Sequence, residues 1–168
     1  MIIRRPKTLV LKDIDCADLK IRAGRTPEDY RNSLLERGIK IGVFTDKVLS
    51  KISGATTDHR LNVVRVSGTQ LGFKNYVART DIYRQAETFG LKKLPAHVAF
   101  EFRERYRGCD AWIIVASESF ADPFGDQRLF STERDTDGFW LRMVYDDPEY
   151  LWNPERLWLF ERTSKVPR

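Results

Sequence analysis

The sequence has no long hydrophobic run. Its apolar stretches span only a few residues each, as in AWIIVA at residues 111–116, whereas a helix that crosses a bilayer needs about 20 predominantly apolar residues. The N-terminal stretch MIIRRPKTLVLKDID carries basic residues, but its apolar part is too short and too interrupted for a signal peptide. We therefore expect a cytoplasmic protein that does not bind membranes.

Cysteine and histidine are also scarce. Cys16 and Cys109 lie far apart and outside any CxxC pair, which argues against a disulfide framework and a thiolate zinc site. The two histidines, His59 and His97, are a poor basis for a metal site, which usually needs three or four ligands. The motifs GxGxxG, GxxxxGK(S/T), GxSxG and HExxH are absent, so the common nucleotide, hydrolase and zinc-protease sites are not indicated. We predict no metal and no cofactor.

The composition fits one globular domain, and its charge is uneven. The 168 residues are 42% hydrophobic and 32% charged, with a net charge of +5. Residues 1–84 carry 17 lysines and arginines against 9 acidic residues, whereas residues 85–168 carry 12 against 15. A basic half can attract phosphate or an acidic partner. Nucleic-acid binding through this half is therefore one alternative.

Helical patterns dominate the first two thirds of the chain. Thr26 is a candidate cap before Pro27 in RTPEDYRNSLLERG, which predicts a helix that ends at Gly38. A short second helix is predicted over Thr45–Lys51. LNVVRV predicts a strand because it is rich in β-branched residues. RTDIYRQAETFG and LPAHVAFEFRERY predict two further helices, with Pro95 near the start of the second.

From Gly108 onward the pattern changes to short β-like runs. These runs are DAWIIVASE, QRLFSTE, GFWLRMVY and RLWLFER, and the turn sequences DPFGD and DTDG occur between them. The order predicts an α+β fold in which N-terminal helices pack on a C-terminal antiparallel sheet. We expect an N-terminal arm or strand over residues 1–25, with a strand at Lys7–Lys12, and one domain over residues 26–168. Its helical part covers residues 26–106 and its β meander residues 108–162.

The four tryptophans lie in or near these β runs. Trp112, Trp140 and Trp158 fall inside apolar strand patterns, so we expect them to be buried. Trp152 lies in a loop of about ten residues, which is long for a simple hairpin. Such a loop is either folded onto the core or used for recognition. The first alternative makes Trp152 an anchor, and the second makes Tyr150, Trp152 and Arg156 binding residues.

One set of side chains offers candidate catalytic chemistry. His97, Glu101 and Arg105 follow each other at intervals of four on a predicted helix, so they lie on one face. A histidine beside a carboxylate and a guanidinium can perform acid–base catalysis on a phosphodiester, with His59 as a possible second histidine. The alternative is an ordinary solvated helix face with ion pairs.

The same helix belongs to a pair that has two interpretations. The predicted helices over residues 81–89 and 95–106 are joined by a turn with a glycine and are followed by β structure. This order is that of a winged helix-turn-helix, a DNA-binding motif. The other interpretation is an αα-hairpin packed on the sheet.

Several motifs resemble a group of short bacterial proteins for which no activity is established. The motifs are RTPEDYRNSL, LGF at Leu71–Phe73, IYRQAETFGL, Pro95, Tyr106, Phe130, WL at Trp140–Leu141 and LWNPERLWLFER. The group often has Cys-Pro where this chain has Leu94-Pro95, which argues against thiol chemistry there. The resemblance implies a bacterial origin and one shared fold.

These observations favour a non-catalytic binding or interaction protein over an enzyme. The expected partner is a protein, because no catalytic motif is present and aromatic residues are concentrated in the β region. Nucleic-acid binding and a metal-independent nuclease built on His97 and Glu101 are the alternatives.

Overall fold

The computed structural model of the protein describes residues 16–106 and 112–163. The helices within these ranges are α1 (Pro27–Glu36), α2 (Val43–Leu49), α3 (Arg79–Thr88) and α4 (Val98–Arg105). The strands are β1 (Cys16–Ile21), β2 (Lys40–Ile41), β3 (His59–Ser67), β4 (Val77–Ala78), β5 (Leu91–Lys92), β6 (Ile113–Val115), β7 (Phe120–Ala121), β8 (Gln127–Asp135), β9 (Gly138–Tyr145), β10 (Leu151–Trp152) and β11 (Leu157–Arg162).

Local sequence accounts for the start of α1. The Thr26 hydroxyl accepts a hydrogen bond from the Asp29 backbone N–H, and the Asp29 carboxylate accepts one from the Thr26 backbone N–H. This reciprocal capping box, followed by Pro27, satisfies backbone donors that the first helical turn leaves free. The helix predicted from these residues is confirmed. No helix in the described ranges is long and apolar enough to cross a bilayer.

The main sheet draws its strands from both halves of the chain. Its strand order is β1-β3-β11-β6-β8-β9-β2, with β5 paired to β11 and β7 paired to β8. Most neighbours are antiparallel, but β11 pairs with β6 and β2 pairs with β9 in parallel. A separate two-stranded ladder joins β10 to β4.

Helices cover both faces of the main sheet. One core cluster contains side chains of α1, α2 and α4 together with Ile113, Val115 and Leu159 of the sheet. The other contains side chains of α3 together with Ile114 and Trp158. Because neighbouring side chains along a strand point to opposite faces, the central strands contribute to both clusters.

The mixed α and β content agrees with the prediction, but the predicted arrangement is wrong. The sheet is mixed rather than antiparallel, and β1, β2 and β3 come from residues 1–106, outside the region predicted to form the sheet. The strand predicted at LNVVRV is itself confirmed, as β3. The predicted meander is also wrong, because β11 lies between β3 and β6 instead of beside β9. The apolar run LWLF makes both faces of β11 hydrophobic, and a central position covers both. The strand predicted at Lys7–Lys12 lies outside the described residues.

The pair formed by α3 and α4 is neither a helix-turn-helix nor an αα-hairpin. Ile82 and Ala86 of α3 belong to the core on one face of the sheet, whereas Ala99 and Phe102 of α4 belong to the core on the other. The two helices are separated by the short strand β5. The helix-turn-helix hypothesis for nucleic-acid binding therefore loses its structural basis.

The tryptophans differ in burial, contrary to the prediction for two of them. Trp158 is fully buried in the core, as predicted, and Trp152 is buried beside it. Trp112 and Trp140 are only partly buried. Trp140 lies on β9 opposite Lys40 of the edge strand β2. Its indole N–H donates to Asp135, and its ring faces the Arg142 guanidinium at 3.8 Å.

We predict that Trp158→Ala lowers the free energy of unfolding by about 3–5 kcal/mol, because it empties a large volume at the centre of the sheet. Trp140→Ala removes a partly exposed ring with two cation–π contacts, to Lys40 and Arg142, so a loss of about 1–2 kcal/mol is expected. Urea unfolding followed by circular dichroism measures both. Equal losses for the two variants would contradict the assigned positions.

Candidate functional site

The predicted catalytic residues His97 and Glu101 lie inside the protein. His97 precedes α4 and is 6% exposed, and Glu101 in the first turn of α4 is 1% exposed. The hydroxyl of Tyr30, on α1, donates a hydrogen bond of 2.8 Å to Glu101 Oε1. The expectation of a solvated helix face is therefore wrong. It fails because α4 lies between the sheet and α1, so every residue from Val98 to Glu104 is buried.

Arg25 compensates the acidic side chains of α4. Its guanidinium donates to both carboxylate oxygens of Glu104, at 2.8 and 2.5 Å, and lies 3.7 Å from Glu101 Oε2. The same group lies 4.3 Å from the centre of the Tyr30 ring. A two-pronged contact of this kind holds both partners in a fixed orientation. Arg25, Tyr30, His97, Glu101 and Glu104 form what we call the buried polar cluster.

Two loops hold Arg25 in place. The Gly24 N–H donates to the Ala55 carbonyl, and the Ala23 N–H donates to the Asp58 carboxylate. A side chain at Gly54 would place its Cβ 2.5 Å from the Arg25 carbonyl oxygen, a distance that Cβ atoms do not tolerate. Glycine is thus required at position 54 because the two loops approach so closely.

The electrostatics of the buried polar cluster favour an uncharged imidazole. Burial, assisted by the charge of His59, lowers the pKa of His97 below its usual value. Burial also raises the pKa of Glu101, although the Tyr30 hydrogen bond and Arg25 oppose this shift. His97 Nδ1 is 3.9 Å from Glu101 Oε1 and has no hydrogen-bond partner within the described residues.

The third predicted catalytic residue does not join this cluster through a hydrogen bond. Arg105 is exposed and donates to the Lys20 carbonyl oxygen of β1 at 2.6 Å. His59 is also exposed, at the start of β3, with Nδ1 2.8 Å from the Thr57 carbonyl oxygen. The geometry thus gives a polar network between α1, α4 and two loops in which the acidic charges are compensated. A substrate cannot reach the buried groups at its centre.

The predicted binding residues divide between core and surface. Trp152 is 4% exposed, and its ring centre lies 5.2 Å from that of Trp158. Tyr150 is 51% exposed and packs edge-on against Trp152. Arg156 contacts a different residue, since its guanidinium lies 3.6 Å from the centre of the Trp112 ring. Trp152 lies in the short strand β10, paired with β4, and not in a loop as predicted. Its burial corresponds to the anchor that the sequence left as one alternative.

A more prominent surface feature was missed at the sequence level. Seven large hydrophobic side chains are more than half exposed in the described ranges. Four of them lie near one another around α2, and with Phe44 they form a surface that we call the aromatic edge. Its members are Leu35, Val43, Phe44, Phe124 and Tyr145.

Arg128 organises the centre of the aromatic edge. Its guanidinium lies 4.1 Å from the ring centres of both Phe44 and Tyr145. Its Nε donates a 2.6 Å hydrogen bond to Asp122 Oδ2, and both partners of this ion pair are buried. Stacking between two rings holds those rings in place, and the ion pair with Asp122 compensates the charge of Arg128.

The Asp122 carboxylate also shapes the turn that carries Phe124. Its Oδ1 accepts hydrogen bonds from the N–H groups of Phe124 and Asp126, at 2.8 and 3.1 Å. Although burial opposes the shift, Arg128 and these N–H groups lower the pKa of Asp122. Gly125 completes the turn at φ 87°, a conformation that glycine adopts readily. The turn predicted from DPFGD is confirmed, and it presents Phe124 at 79% exposure.

Sequence offered one signal for this surface. Phe124 is a large apolar residue at the tip of a predicted turn, where polar residues are usual. Its neighbours on the aromatic edge come from α1, α2 and β9, and no sequence pattern brings these together.

The comparisons with known proteins add no identity. No family model, curated protein or solved structure matches the chain.

We predict that His97 makes folding stability depend on pH just below neutrality. The unfolded chain has a histidine pKa of about 6.5, and the folded pKa of His97 is lower. The unfolded state therefore binds more protons than the folded state between these two pH values. The contribution of His97 to the free energy of unfolding is complete above pH 6.5 and is lost as the pH falls through the folded pKa.

Urea unfolding of wild type and His97→Gln from pH 7.5 downward measures this effect. In His97→Gln the free energy of unfolding should fall less below pH 6.5 than it does in the wild type. His59→Gln is the matched control and should keep most of the decline, since His59 is exposed. An unchanged pH profile in His97→Gln would rule out the assignment.

Proposed function

We propose that the protein is a binding protein that recognises a protein partner through the aromatic edge. The observation that carries this proposal is the fixed presentation of Phe124, which is 79% exposed on a turn held by three hydrogen bonds to one carboxylate. When a partner covers an apolar ring that is exposed to water, the free energy of the complex is lowered.

The composition of the aromatic edge matches the central part of protein interfaces. Such regions are rich in aromatic residues and arginine and poor in unpaired charge. Phe44, Phe124 and Tyr145 supply the rings, and Arg128 lies between two of them. Because this arginine and the turn are already ordered, binding loses little conformational entropy.

The ion pairs near this surface favour a protein partner over a nucleic acid. Arg128 is paired with Asp122, and Arg31 is paired with both Glu28 and Asp46. Phosphate backbones are bound by lysines and arginines that are free to contact them. A surface whose arginines are already compensated is better suited to an apolar protein segment.

The nuclease alternative draws no support from the geometry. A general acid–base pair must come within hydrogen-bond reach of its substrate. Glu101 is enclosed by Tyr30 and Arg25, and His97 Nδ1 is closed to solvent. We therefore assign a structural role to the buried polar cluster.

We expect Phe124→Ser to weaken partner binding at least tenfold, because central aromatic residues contribute most to interface affinity. Partners from the source organism are first captured on the immobilised wild-type protein, crosslinked and identified. Each partner is then purified and titrated against the wild type and the variant to measure its affinity for both. Phe124 contacts solvent on most of its surface, so the melting temperature should not change.

Tyr76→Ser is the matched control, since Tyr76 is 63% exposed but lies outside the aromatic edge. It should bind as the wild type does. A partner that binds the wild type and Phe124→Ser equally well would overturn the proposal. Loss of binding in both variants would place the contact elsewhere.

A further inference from the structure

A second surface feature lies where β6 and β11 begin. The two strands are parallel, and Leu157 of β11 is in register with Ile113 of β6. The residues that precede them, Arg156 and Trp112, are therefore neighbours. They line a cavity of about 310 Å³ with Asn153, Glu155 and Leu157.

The Arg156 guanidinium lies over the Trp112 ring, 3.6 Å from its centre. Stacking uses the face of the guanidinium and leaves its N–H donors at the edge available. These donors have no acceptor within residues 16–106 and 112–163. Glu155 lines the same cavity but forms no ion pair with Arg156. A partly buried, oriented arginine without an acidic partner is complementary to the paired oxygens of a carboxylate or a phosphate group.

The loop that carries Arg156 is held in shape before any ligand binds. The Arg156 N–H donates to the Asn153 carbonyl, and the Asn153 side-chain oxygen accepts from the Glu155 N–H. The Pro154 carbonyl accepts from the Thr69 N–H at 2.8 Å. A Cβ at Gly68 would lie 3.0 Å from Pro154, so the two loops are in close contact.

One further donor belongs to the residues of this cavity. The side-chain oxygen of Asn153 is already an acceptor in the turn, which leaves its NH₂ group to donate. The Trp112 indole N–H is buried and closed to solvent, so it is not among the donors of the cavity. Glu155 is the one acidic residue among the lining residues.

We infer that this cavity binds a small oxyanion, a carboxylate or a phosphate group, through the edge of the Arg156 guanidinium. Trp112 orients the guanidinium, and the Asn153 amide supplies a further donor. The negative charge of Glu155 at the cavity limits the affinity. This site depends on different residues from the aromatic edge, so either proposal can fail without the other.

Isothermal titration calorimetry with inorganic phosphate tests the site, with sodium chloride at matched ionic strength as the reference. A second titration uses N-acetyl-diglycine, and its C-terminal amide serves as the uncharged counterpart. We expect saturable binding of at least one anion in the millimolar range. The tighter of the two identifies the source of the anionic group. Binding of the amide as strongly as the acid, or of neither anion, would overturn the inference.

Variants distinguish anion binding at this cavity from non-specific attraction by the net charge of the protein. Arg156→Gln should weaken anion binding at least tenfold, and Arg156→Lys should weaken it as well, because lysine lacks the planar fork. Glu155→Gln should strengthen binding severalfold by removing repulsion. Arg22→Gln changes the net charge equally at an exposed position and should leave binding unchanged. Equal weakening in Arg22→Gln and Arg156→Gln would overturn the inference, and Arg156→Lys decides the matter if Arg156→Gln does not fold.

Discussion

The parallel pairing of β6 with β11 is the contact on which the rest of the structure depends. It places the last strand of the described chain between a strand from the N-terminal half, β3, and one from the C-terminal half. Both faces of this central pair must be covered, since Ile113 and Ile114 point in opposite directions and both are fully buried. Helices on both sides of the sheet follow from that requirement. The neighbouring positions of Trp112 and Arg156 follow from the register of the same pair.

Charged groups are handled differently inside the protein and at its surface. Inside, Arg25 compensates the carboxylates of α4, and Tyr30 donates to one of them. This network connects α1 and α4 to two loops without leaving the carboxylates unsatisfied, which would be costly in a low-dielectric interior. At the aromatic edge the Arg128–Asp122 ion pair stabilises the turn that carries Phe124. In each case an arginine stacks on an aromatic ring and pairs with an acidic side chain. The polar contacts thus fix the positions of the apolar groups beside them.

The two proposed contact surfaces have opposite chemistry. The aromatic edge is apolar with its arginine already compensated, whereas the cavity at Trp112 contains an arginine whose donors have no acceptor in the described residues. The buried polar cluster takes no part in either surface, and its histidine is best understood as a determinant of stability.

Local sequence determined the elements with strong signals of their own. The capping box at Thr26 starts α1, β-branched residues form β3, and DPFGD forms its turn, because each depends on contacts between residues close in the chain. The sequence also singled out Arg156 and His97, but not their surroundings. Tertiary structure alone decided the strand order, the burial of His97 and the assembly of the aromatic edge. These depend on which distant segments meet, and apolar runs such as LWLF are compatible with several partners until the sheet as a whole buries both of their faces.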